Sequence, residues 1–194
     1  MKLWHDLPGV RIHERLENES RENDATPTRS HVRRPRPNDC EEHHMTNTSD
    51  GQTEADRQLM IETFEAWRDG DAKAFPDTWA TDMVWRIEGH SIASREYANN
   101  HEYLEEFAKP FGARFQVSQR FRPTNIRSVH ADGNTVIVLW DGRGIAIDGK
   151  RYENTYAFFM QMRDGKVAEV TALTDSILLN ELLERVQPAA NVDA

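Results

Sequence analysis

Residues 151–174 read RYENTYAFFMQMRDGKVAEVTALT. Two strand-favouring runs, 151–163 and 166–174, meet at Arg163-Asp164-Gly165-Lys166, where Asp-Gly supplies the chemistry of a tight hairpin turn. Side chains alternate across a strand, so Asn154, Tyr156, Phe158, Met160 and Met162 share one face of the first run. Its far end makes that face core, yet it begins with an amide and a phenol. Buried polar groups left without partners cost roughly 1–3 kcal/mol each. Asn154 and Tyr156 are therefore either paired within the core or form the polar end of a pocket. On the second run Ala168, Val170, Ala172 and Thr174 share a small, nearly apolar face, which suits a cavity wall.

Outward from this hairpin, further strands are expected at about 114–129 and 134–147, with turns at "ADGN" (131–134) and "DGK" (148–150). Upstream, Met60, Phe64 and Trp67 recur at helical spacing, which predicts an amphipathic helix over 54–69 with Thr53 as its N-cap and Gly70 as its stop. A short second helix follows from Asp71 to Trp79. "MVWRIEG" (83–89) alternates as a first strand. A third helix starts at the Asn99/Glu102 capping pair, buries Tyr103, Leu104 and Phe107, and ends before Pro110. "SILLNELLERV" (176–186) closes the chain as a helix, with Pro188 beyond it. This order predicts an α+β domain, a curved antiparallel sheet with helices on one face.

Composition sets the outer bounds. The chain has 194 residues, enough for one domain with a real core. A formal net charge of −9 argues against a nucleic-acid partner, which needs a concentrated basic face. No run is apolar enough to cross a membrane, and the first residues carry charges where a secretory leader would be apolar. Cys40 is the single cysteine, which excludes an internal disulfide framework and a multi-cysteine zinc site. These features fit a soluble cytoplasmic protein.

Residues 1–44 have scattered apolar residues without period and cannot offset their ordering entropy, so a disordered tail through residue 52 is expected. It holds a basic cluster, "RRPRP" (33–37), which reads as a solvated face or a contact segment. His43 and His44 stand beside Glu41 and Glu42 without the preorganised geometry a metal site needs. Met45 is an alternative start. The folded domain is expected over 53–187, with a short tail at 188–194.

Four phrases, "AWRDGDAKAF" (66–75), "WATDMVWRIEG" (79–89), "VIVLWDGRGIAIDGKRYENTYAFFMQMRDGKVAEV" (136–170) and "TDSILLNELLERV" (174–186), resemble the SnoaL-like group of the nuclear transport factor 2-like superfamily. That superfamily includes ketosteroid isomerases, limonene epoxide hydrolases and polyketide cyclases. The resemblance implies a cone-shaped sheet wrapped around the N-terminal helices, an apolar cavity, and a homodimer formed through the sheet. It implies no metal and no cofactor. In ketosteroid isomerases a strand-end carboxylate is the base, and that position falls at Ile87 or Glu88, of which only Glu88 titrates. Their first-helix Tyr falls near Phe64, and their oxyanion Asp near Tyr156 or Ala157. Cyclases and epoxide hydrolases of the group carry an essential Asp on the last strand, where this chain has Ala172.

The candidate chemistry is then Glu88 as base, with Tyr156 and Asn154 as donors to a developing enolate. Trp85, Tyr97, His101, Asp141, Phe158, Ala172 and Asp175 are candidates for lining the ligand site. Asp141 and Arg143 share a strand face and are expected to pair; Asp175 also reads as a helix N-cap. Two functions stay open: an isomerase, dehydratase or cyclase acting on an apolar carbonyl compound, or a non-catalytic ligand-binding or dimerisation module using the same cavity.

Overall fold

The structure, a computed structural model, describes residues 48–189. The expected N-terminal tail up to residue 47, with its basic cluster, its histidines and Met45, lies outside the described residues, as do residues 190–194. Helix α1 (Thr48–Asp69) begins before Thr53, so residues 48–52 are helical rather than tail. Two contacts account for the extra turn. Gln52 donates to Asp56 one turn on, and the Thr53 hydroxyl donates to the carbonyl of Gly133. Thr53 thus ties the helix to a hairpin instead of capping it.

After α1 the expected second helix shrinks to a 3-10 turn at Pro76–Thr78, which leads into β1 (Trp79–Ile87). A short β2 (Glu96–Tyr97) pairs antiparallel with β1. The next helical run has three pieces: α2 (Asn100–Tyr103), a π turn (Leu104–Ala108) and α3 (Lys109–Gly112). Asn99 caps α2 by accepting from the Glu102 N–H, as its spacing predicts. The run does not stop before Pro110. In the π turn the Lys109 N–H donates five residues back, to Leu104, and Pro110 then falls in the first turn of α3. A missing N–H costs nothing there.

Four strands follow: β3 (Arg122–Asp132), β4 (Thr135–Ile145), β5 (Arg151–Arg163) and β6 (Lys166–Thr174). Asp164 and Gly165 both have positive φ, 53° and 70°, the conformation a two-residue hairpin needs and Asp-Gly provides. Helix α4 (Ser176–Arg185) closes the fold. The molecule is an α+β domain whose open six-stranded sheet runs β2-β1-β6-β5-β4-β3. The pairings within β3–β6 are antiparallel, but β1 lies parallel to β6, so the sheet is mixed. That pairing sets Ile87 beside Ala172.

The core lies between the sheet's inner face and the helices. Tyr152, Asn154, Tyr156, Phe158, Met160 and Met162 are all buried on β5. Their neighbours on β4 are Val136, Val138 and Trp140, followed by two buried glycines. A Cβ on Gly142 would lie 2.2 Å from the Phe121 ring, and one on Gly144 would lie 2.6 Å from Phe115. Both glycines therefore let aromatic rings lie directly on the strand backbone. They belong to the inner face, while Asp141 and Arg143 point outward.

Candidate functional site

A cavity of about 280 Å³ opens between the inner face of the sheet and the α2–α3 run. Trp85, Ala172, Thr174, Tyr156, Phe158 and Trp140 form its floor from β1, β6, β5 and β4. Tyr103, Phe107 and Phe111 cover it from the helical run, and Trp67, Phe75 and Trp79 close one side. The rings pack against one another: Trp85 stacks on Tyr103 with centroids 4.1 Å apart, and Trp140 stacks on Tyr156 at 4.5 Å. Such walls hold flat apolar molecules by large contact areas and ring-on-ring geometry.

The polar groups of the wall are few. Among the described residues, the buried side-chain polar atoms without a partner are the indole nitrogens of Trp79, Trp85 and Trp140 and the hydroxyl of Thr174. All four residues line this cavity. No Asp, Glu or His of the described residues does so.

Tyr156 is the polar group with a supporting network. Its hydroxyl lies 2.9 Å from that of Tyr152, and the Asn154 amide donates to Tyr152 at 2.9 Å. The same amide donates to the carbonyl of Asp175 at 3.0 Å, while its oxygen accepts from the N–H groups of Thr155 and Asp175. Two backbone donors and one backbone acceptor thus fix which end of the amide faces Tyr152. The two phenols share one proton in their bond, and either can be its donor. When Tyr152 is the donor, the Tyr156 proton is left for the cavity side. Burial, then the electrostatics and hydrogen bond of Tyr152, hold Tyr156 well above the usual phenol range, and the nearby Thr174 hydroxyl acts in the opposite sense. Burial likewise raises Tyr152, against the hydrogen bonds from Tyr156 and Asn154. Both phenols are donors at neutral pH.

The ten candidate positions separate into three places. Tyr156, Trp85, Phe158 and Ala172 meet in the cavity wall. Asn154, Asp141 and Asp175 border a separate groove. Asn154 thus acts as a buried structural amide that joins β5 to the start of α4 and orients Tyr152. Asp175 caps α4 by accepting from the N–H groups of Ile177 and Leu178. Asp141 does not pair with Arg143. It accepts from Arg127, Thr155 and Asn125, while Arg143 reaches Glu153 at 3.0 Å. Cross-strand neighbours lie closer than residues two apart on one strand. Burial would raise the Asp141 carboxyl, but the hydrogen bonds from Arg127, Thr155 and Asn125 outweigh it and hold the group low.

Glu88, Tyr97 and His101 lie away from the cavity. The Glu88 side chain is 45% exposed and 4.0 Å from Arg86, because β1 ends at Ile87 and the next side chain turns outward. Its backbone N–H stays on the sheet, donating to the carbonyl of Ala172. Tyr97 is buried but donates to the Ala93 carbonyl beneath the Arg95 guanidinium. His101 is exposed in the first turn of α2.

Sequence reading missed Tyr152, Trp140 and Thr174. Tyr152 carried a usable signal, since it continues the buried alternation recognised on β5, whereas on β4 only the face of Asp141 and Arg143 was recognised. Thr174 was placed on the right face, but its lack of a partner emerges only from packing.

The fold and cavity define a class, α+β domains with a ligand-sized aromatic pocket between a sheet and its covering helices. The chain belongs to the SnoaL-like domain family, whose model matches residues 61–170, within the nuclear transport factor 2-like superfamily. An NTF2-like protein from Burkholderia thailandensis E264 is 19% identical, covers 66% of this chain and 96% of its own, and superposes with a TM-score of 0.54. A putative SnoaL-like polyketide cyclase from Jannaschia sp. CCS1 is 14% identical over 68% of this chain and 92% of its own, with a TM-score of 0.53. A putative isomerase from Bacillus subtilis is 20% identical over 68% and 94%, with a TM-score of 0.51. At these identities the likeness is one of fold. No curated protein matches the chain.

Proposed function

We propose that this chain binds a flat, largely apolar carbonyl compound in the aromatic cavity, with Tyr156 donating a hydrogen bond to the carbonyl oxygen. One observation carries the reading: in a wall built almost wholly of rings and aliphatic groups, the Tyr156 phenol is backed by Tyr152 and, behind it, Asn154. With Tyr152 as donor to Tyr156, the chain of hydrogen bonds polarises Tyr156 as its last donor, which suits an oxygen that carries or develops negative charge. The unpartnered indole N–H groups of Trp79, Trp85 and Trp140 in the same wall also favour a ligand with acceptors.

Ligand binding is the function the geometry supports best. Isomerisation, dehydration or cyclisation of a carbonyl compound needs a base as well as a donor. No carboxylate or imidazole of the described residues lines the cavity, and Glu88 sits beside Arg86 outside it. Titration of tryptophan fluorescence with bicyclic and tricyclic ketones and their matched hydrocarbons tests the reading. The ketones should bind saturably and about fivefold to tenfold tighter than the hydrocarbons, as one buried hydrogen bond supplies. A panel that shows no saturable binding refutes it.

The outer face of the sheet supports a second copy of the chain as partner. Phe159 and Leu173 are exposed and diagonal to one another across β5 and β6, and Ile177 at the start of α4 is 80% exposed. Sedimentation equilibrium should give a dimer that Phe159→Lys disrupts, and a monomer at tens of micromolar would rule it out.

A further inference from the structure

The mouth of the cavity is built differently from its interior. The exposed residues in its lining are Ala72, Lys109, Gly112, Val117 and Arg120, so it opens between the segment after α1, the end of α3 and the turn at 117–120. Lys109 and Arg120 are the charged residues of the lining among those described. In a chain of net charge −9, the lining at the mouth therefore carries two cations and no acid among the described residues.

The two cations are not equivalent. Lys109 pairs with Glu105 one turn earlier. Arg120 has no ion pair or hydrogen bond with a described residue. Arg114, by contrast, is spent on the carbonyls of Val186 and Pro110. A guanidinium offers a planar fork of donors that matches a carboxylate or sulfonate edge. Deeper in, the wall offers indole N–H groups, which only donate, and a Tyr156 phenol held neutral. A cationic ligand would find no acid among the described residues of this lining to pair with. An anionic one finds donors throughout and a free guanidinium at the opening.

We infer that the cavity selects aromatic anions, with the flat apolar body in the interior and a carboxylate- or sulfonate-type group at the mouth on Arg120. The inference rests on the cavity being the ligand site. It deepens that reading by naming the charge of the ligand and the residue that selects it.

Two fluorescent dyes with the same body test it: 8-anilinonaphthalene-1-sulfonate and its neutral counterpart N-phenyl-1-naphthylamine, titrated into the full chain. The sulfonate dye should bind several-fold more tightly, and the two should displace one another. Arg120→Gln, an exposed change that the fold tolerates, should weaken the sulfonate dye about tenfold and leave the neutral dye within about twofold. Added salt should erode the wild-type preference, because the cation is exposed. The control Lys150→Gln, at a turn outside the cavity, should change neither dye. Equal effects of Arg120→Gln on both dyes, or none on either, overturn the inference while leaving the cavity reading intact. The cavity reading itself fails separately, and the inference with it, if both dyes bind undiminished to cavity-filling Ala172→Leu and Ala172→Phe.

Discussion

The hydroxyl of Tyr156, in the cavity wall, lies 2.9 Å from the hydroxyl of Tyr152, which is outside that wall. The phenol a ligand meets is therefore supported by one it does not touch. Tyr156→Phe should keep the fold and lower ketone affinity about tenfold, the worth of one buried hydrogen bond. Tyr152→Phe should lower it by a smaller factor, roughly twofold to threefold, by removing polarisation and not the donor. Isothermal titration with one ketone and its matched hydrocarbon measures both. Hydrocarbon affinity should not change in either variant.

Asn154 has a different signature. Its amide serves both the N–H and the carbonyl of Asp175 as well as Tyr152. Asn154→Ala should cost roughly 1–3 kcal/mol in urea unfolding, since buried partners are left unpaired. Asp175→Ala should cost about 1 kcal/mol through the lost N-cap of α4. An Asn154→Ala protein as stable as wild type would contradict the structural role.

Gly142 holds its place because Phe121 lies on it. A methyl group there would stand 2.2 Å from the ring, so Gly142→Ala should destabilise by about 1–3 kcal/mol through overpacking. Phe121 also lines the cavity. The same substitution should therefore weaken ligand binding, which a dye titration on the folded variant would register.

All four tyrosines of the chain, Tyr97, Tyr103, Tyr152 and Tyr156, are held above the ordinary phenol value, with burial as the first cause in each. A phenol kept neutral in the fold ionises first in the unfolded chain. Its contribution to stability is complete below a pH of about 10 and is lost as pH climbs from there towards the folded values. Absorbance at about 295 nm should show little phenolate near pH 10, then a steep rise coincident with loss of circular dichroism. A smooth titration centred on pH 10 in folded protein would overturn the assignment.

Glu88→Gln is the sharpest test of where the chemistry lies. With its side chain beside Arg86 and outside the wall, the substitution should leave ligand affinity unchanged and stability within about 0.5 kcal/mol, as for an ordinary surface site. A large loss of affinity would return Glu88 to the site.

Elements set by local chemistry were legible in the linear chain. Asp-Gly at 164–165 set a hairpin turn between β5 and β6, alternation set the buried face of β5, and the side chains of Asn99 and Asp175 set two helix starts. Each depends on residues within a few positions of one another, so a linear reading reaches it. The same reading ended a helix at Pro110, because proline's cost depends on where the helical register puts it, and here a π turn moved the register. It also left Asn154 and Tyr156 together as one polar anchor. Alternation places two residues on a face but does not say which ring or backbone stands opposite each. Packing across the fold is what commits the Asn154 amide to Asp175 and sets Tyr156 in the cavity wall. It likewise decided that β1 lies parallel to β6, and that Phe64, Phe121 and Trp140 meet from distant parts of the chain. Burial and hydrogen-bond satisfaction are sums over neighbours from the whole chain, and those neighbours are adjacent only once it has folded.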